Sequence, residues 1–205
     1  LLLAVLLPAL GRVRRHAREA ACRSNLRQWG IALHVYTSAH DGKLPPIHLD
    51  NSEDYIYSFW RRALWDSLNR NGVSLCPMAT RVTGAGENVG TFNAWREATT
   101  LIGSYAGNVI VGFPVFSSPF RWDSADVQGA QDIPFFFDCT TPVFTPSLSP
   151  VNGGLGTPPV REGIKDPAGE TNVHQVCINR HEDGINMVFV DSSVRKVGLK
   201  ELWTL

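Results

Sequence analysis

The chain has 205 residues, 43% of them hydrophobic, and its 19 lysines and arginines balance its 19 aspartates and glutamates. A chain of this length buries a core of ordinary size without needing a metal or a dense set of disulfides. Its zero net charge gives no reason to expect a nucleic-acid partner.

The first ten residues are apolar and include Leu1, Leu6, Pro8 and Leu10. A bilayer takes about twenty such residues, and the run has none of the marks of an intact signal peptide. It reads as the tail of a longer membrane helix, with Pro8 accepted as a kink. Arg12, Arg14, Arg15, Arg18, Arg23 and Arg27 follow, with Glu19 against them. They suit a solvated helix face or, on a sharper reading, contact with anionic lipid or an acidic neighbour.

The same helix is expected to continue to about Ala39. Cys22, Leu26, Trp29, Leu33 and Tyr36 fall at steps of four, three, four and three, which puts them on one buried face. Asp41-Gly42 ends the helix and Pro45-Pro46 prevents its resumption. Residues 1–40 therefore read as a helical unit, with 1–10 the remnant of a membrane segment, and residues 41–205 as a globular domain.

A second helix is expected from Glu53 to about Asn69, capped by Ser52 and stopped by Gly72. Val73–Cys76 reads as a short apolar strand ahead of Pro77. Polar, glycine-rich Thr80–Glu97 reads as loop, Ser104–Phe116 as extended chain, and Ile133–Cys139 as a strand. Thr140–Pro159, rich in proline and glycine, reads as a surface loop. Near the end, His174–Arg180, Ile185–Val190 and Val194–Val197 suggest a three-stranded antiparallel meander, turning at Glu182-Asp183-Gly184 and at Asp191-Ser192-Ser193. A long helix, then loops, then an antiparallel sheet define an α+β class.

Cys22, Cys76, Cys139 and Cys177 lie far apart in sequence. Without a C-x-x-C or H-x-x-H pair, a zinc site has little support from spacing. One or two disulfides fit an oxidising compartment, and four cysteines allow three full pairings; four buried free thiols are the alternative.

Several segments together resemble bacterial proteins with a prepilin-type cleavage and methylation segment, of the type II secretion pseudopilin kind. These are Leu6–Leu10 with the arginine-rich stretch, Ala21–Gln28, Asp41–Pro46, Cys76-Pro77, and Gly103–Asn108 with Tyr105 and Asn108. Arg180-His181 followed by Val188–Asp191 resembles the family's C-terminal H-x9-DG motif, with Ser192 standing where the motif has glycine. The tail Val194–Trp203 continues the match. The resemblance implies a long helix packed on an antiparallel sheet, a leader removed by a prepilin peptidase, and a single-pass inner-membrane anchor. The globular part would be periplasmic or extracellular. Its partners would be other pilin-like subunits and secretion-system components. The resemblance includes Cys22 and Cys76. With Cys22 on the buried stripe and Cys76 on a run expected to pack there, it implies that these two pair, leaving Cys139 with Cys177.

The leading functional expectation is thus a structural pilin-like subunit of a type II secretion or type IV pilus-like assembly, without catalytic residues or a cofactor. The runner-up is an anchored periplasmic binding module for a metal or glycan, in which the turn aspartates Asp138, Asp183 and Asp191 would take calcium. No local run, however, offers the six to eight oxygens that calcium wants. A hydrolase ranks third. Cys177 and His181 would lie about 13 Å apart on one strand, and no nucleophile-elbow, phosphate-loop or H-E-x-x-H motif occurs. His181 and Asp191 are expected at opposite ends of a hairpin, each securing its own turn.

Overall fold

The computed structural model describes residues 2–45, 64, 72–83, 90–97, 101–108, 110–112, 122–144, 176 and 178–203. Helix α1 runs unbroken over Leu2–Ala39, 38 residues with Pro8 inside it. Its expected stripe is the buried one. Cys22, Leu26, Trp29 and Leu33 are fully buried, and Tyr36 packs at the margin of the core. The six arginines are exposed. At the C-terminus, Asp41 and Gly42 both take positive φ, and the Gly42 amide donates to the Thr37 carbonyl. That backbone return satisfies one of the helix's open carbonyls and stops it there.

Two sheets follow. The smaller has the order β1-β2-β3, built from Arg81–Thr83, Asn93–Glu97 and Leu101–Gly103. The larger has the order β6-β4-β5-β7-β8. Its strands are β4 (Tyr105–Asn108), β5 (Pro134–Asp138), β6 (Val143–Phe144), β7 (Gly184–Phe189) and β8 (Val194–Gly198). Most pairings are antiparallel; β1 with β2 and β4 with β6 are parallel. The fold is α+β.

Strand alternation divides the larger sheet's two faces. Tyr105, Phe136 and Val188 join α1 in one cluster with Cys22, Leu26, Trp29 and Leu33. Ala106, Phe137, Ile185, Met187 and Phe189 face the other way, into a second cluster with Ile178, Val197 and Leu202. Burial on both sides explains why β7 is apolar at nearly every position instead of alternating. Trp29 fixes the helix on the sheet. Its ring lies 4.8 Å from that of Phe136, and its Nε1 donates to the Val73 carbonyl at 2.9 Å. Gly30 lets the helix approach closely, since a Cβ there would come 2.8 Å from the Ser192 carbonyl oxygen.

Several expected elements differ. Val73–Cys76 is a turn, held where Ser104 donates to the Ser74 carbonyl and its Oγ accepts from the Cys76 amide. Thr80–Glu97 contains β1 and β2, with Ala94 and Trp95 buried despite the polar surroundings. The extended chain after Ser104 ends as a strand at Asn108. Val143–Phe144 adds a short strand inside the proline-rich stretch. Within His174–Arg180, residues 176 and 178–180 form no strand and the others lie outside the described residues; among the described residues the C-terminal unit is a two-stranded hairpin. Its inner strand β7 pairs with β5 on the other side. The expected helix over Glu53–Asn69 lies outside the described residues except for Leu64, which is helical and buried. Cys177, Leu1 and the Leu6 side chain also lie outside them.

Candidate functional site

Where α1 crosses the larger sheet, four polar side chains meet in a fully enclosed position. Cys22 comes from the buried stripe of α1, Cys76 from the turn before Pro77, Asp138 from the end of β5, and His181 from the turn leading into β7. One candidate ligand atom from each lies within 4.8 Å of all the others. Cys22, Cys76 and Asp138 are 0% exposed and His181 is 2% exposed.

The contacts run around a ring. His181 Nε2 lies 3.1 Å from Asp138 Oδ2 and 3.4 Å from Cys76 Sγ. Cys22 Sγ lies 3.6 Å from Asp138 Oδ2. Outer groups hold the ring in place. The Tyr105 hydroxyl donates to Cys22 Sγ at 3.4 Å, and the Met78 amide donates to Cys76 Sγ at 3.4 Å. The Asn186 amide donates to Asp138 Oδ2 at 3.0 Å.

Arg180 is the structural counterpart of this ring. Its side chain is wholly buried and pairs with Asp138 Oδ1 at 3.1 Å. Its other donors take the Thr91, Asn93 and Ser104 carbonyls at 2.8–2.9 Å. One guanidinium thereby ties the small sheet to the large one, using the fixed fork of donors that lysine lacks. A buried charge of this kind persists only when paired and hydrogen-bonded.

These neighbours set the protonation states. Burial alone would raise the Asp138 carboxyl, but the hydrogen bond and charge of His181, and the charge of Arg180, hold it below its ordinary value. Burial alone would lower His181, yet the hydrogen bonds to Asp138 and Cys22 and the charges of both together outweigh it and push the imidazole up to about 9. Burial pushes the Cys22 thiol up, reinforced by Cys76 and the Asp138 charge. Buried Tyr105 is raised as well.

A Cys-His-Asp set suggests a nucleophile with its base, but the geometry differs. A catalytic histidine is oriented through one ring nitrogen and acts through the other. Here both Cys76 and Asp138 face Nε2, while Nδ1 has no hydrogen-bond partner. The sulfurs are also closed off from solvent.

The site residues expected from sequence are distributed unevenly. Cys22 and Cys76 come together but are free thiols here, not joined by the expected bond; Cys139 is free and buried elsewhere, near Thr141. His181 does not spend its side chain on its own turn, which is closed instead by its backbone amide donating to the Gly184 carbonyl. Asp191 is exposed and, as expected, binds its own turn, accepting from the Ser193 amide at 2.9 Å. Ser192 takes φ 69°, a backbone conformation that favours glycine. Asn108 bridges to Pro134 and Ile110. Pro8 lies in α1 and Leu10 is 49% exposed. Asp138 is not a turn aspartate but a buried strand-end carboxylate. Among the described residues it shares no ligand cluster with Asp183 or Asp191. Arg180 and Asp138 were missed as a pair, although the adjacent Arg180-His181 was a visible signal.

The sequence profile of a family described as "Protein of unknown function (DUF1559)" matches residues 11–162, and the chain belongs to that family. No curated protein and no solved structure matches the chain.

Proposed function

We propose that the protein is a structural, pilin-like subunit held by α1 in a membrane or in a helical assembly, with its globular domain on the periplasmic or extracellular side. The observation that supports this reading is the division of one continuous helix. From Cys22 onward α1 is built into the core. Before Arg15, which pairs with Glu182, it carries Leu7, Leu10 and Val13 at 65%, 49% and 62% exposure. Apolar side chains displayed in this way serve an environment other than water. Ile31 and Val35 continue an exposed apolar edge on the outer side of the packed half, which suits lateral contact between subunits. Among the described residues no helix is long and apolar enough to cross a membrane; an anchor of that kind would draw on further apolar residues joined to this segment. Membership of the family and the resemblance of the Cys22, Tyr105 and His181 regions to pseudopilin-like proteins agree with the same role.

Sedimentation provides the test. A shortened chain beginning at Arg12 keeps every buried core residue among those described and is expected to run as a soluble monomer, whereas the whole protein is expected to associate with membranes or with itself. Stable filaments formed by the shortened chain would contradict the reading.

A further inference from the structure

We infer that Cys22, Cys76, Asp138 and His181 form a closed structural site for a divalent metal ion of the zinc class. The inference stands apart from the proposed assembly role. Zinc takes two thiolates, an imidazole nitrogen and a carboxylate oxygen in a tetrahedron. With ligands about 2.0–2.3 Å from a common centre, the donor atoms should lie roughly 3.3–3.8 Å from one another. The observed separations are 3.1 Å for nitrogen to oxygen, 3.4 Å for sulfur to nitrogen and 3.6 Å for sulfur to oxygen. All six separations lie within 4.8 Å, so side-chain shifts of up to about an ångström bring the set onto the metal.

The surrounding groups suit this use. Thiolates on a metal are stabilised by N–H and O–H donors. Cys76 Sγ has the Met78 amide two residues on, and Cys22 Sγ has the Tyr105 hydroxyl. Asp138 Oδ1 is held by Arg180, and the Asn186 backbone amide donates to Oδ2, the kind of outer support that orients a ligating carboxylate. Charge also closes. Two thiolates, one carboxylate and a dication leave one negative charge, which the buried Arg180 guanidinium neutralises. On binding, each thiol gives up its proton and His181 gives up the proton on Nε2, all to solvent, and no electron is transferred. A cavity of about 290 Å³ bordered by Met78, Arg180 and His181 gives an approach from the surface. With all four positions filled by protein, the ion has no open site for substrate. It would clasp α1 to the end of β5 and to the turns at Cys76 and His181.

The test uses the untagged protein purified without added metal or chelator and analysed by elemental mass spectrometry. About one equivalent of divalent metal per chain is expected. After exchange with cobalt(II), intense visible bands of a tetrahedral ion and a sulfur-to-metal charge-transfer band are expected. The Cys22→Ser, Cys76→Ser double variant should lose both bands, and Tyr105→Phe should keep them with about 10–100-fold weaker affinity. The cobalt spectrum of the wild type is read without any variant, so a variant that fails to fold leaves the test standing. Substoichiometric metal with no charge-transfer band overturns the inference. So does an intact mass lower by two hydrogens with Cys22 and Cys76 found in one cross-linked peptide, because a disulfide leaves no thiolates to bind.

Discussion

The two halves of α1 share one backbone, but one is built into the core and the other exposes its apolar side chains. From Cys22 to Thr37 the helix follows a strict buried stripe, and each turn contributes a residue to the core. From Leu7 to Val13 its apolar side chains are exposed. A helix that is apolar where nothing in its own domain covers it is specified by something outside that domain. On the proposed function the rear half serves folding and the front half association, so the two should respond separately to mutation.

The largest effect should come from the buried ion pair behind the rear half. Arg180→Met leaves Asp138 buried beside His181 without its guanidinium and takes one donor from each of three carbonyls. Loss of one partner of a buried pair costs about 3–5 kcal/mol, so a large fall in the urea midpoint is expected. Trp29→Ala should come close to this, at about 3–5 kcal/mol, because it opens a cavity against Phe136 and removes the bond to Val73. An unchanged midpoint in either variant would break the claim that the rear half is the core.

Smaller changes sharpen the hairpin that receives the helix. Asp191→Ala removes the acceptor of the Ser193 amide and should lower stability by about 1 kcal/mol, visible as a modest fall in Tm. Ser192→Gly relieves a positive φ and should raise stability by about 0.5 kcal/mol. A loss there would mean that the serine side chain has a role of its own. Leu10→Ser and Val13→Ser should leave the unfolding midpoint within about 0.5 kcal/mol of wild type while weakening association, the reverse of the pattern at Trp29.

How much of this was legible depends on whether the signal was local. The steps from Cys22 to Tyr36 gave the long helix and its face, and Asp41-Gly42 gave its end. The apolar run before Asp191 gave β7, and Asp191 itself gave the final turn. The described part of the expected third strand, Ile178–Arg180, is not a strand: it follows a turn at Val176 and buries the Arg180 side chain, whereas a strand reading needs only the apolar run. Strands β1 and β2 were hidden by glycine and polar neighbours, although Ala94 and Trp95 pack inward. The thiol, histidine and carboxylate cluster could not be read from spacing at all. Its contacts join residues 116 and 105 positions apart, and no local motif marks a site assembled from four separate elements.

The most direct measurement of the central claim is photo-crosslinking in the native cell envelope. A photoreactive residue would replace Leu10 or Val13 in the front half of α1, with Phe92, exposed on the globular domain, as the comparison. The account predicts strong crosslinks from Leu10 and Val13 to lipid or to other copies of a pilin-like subunit, and few from Phe92. Front-half positions that crosslink no more than Phe92, in a protein of normal stability, would contradict it.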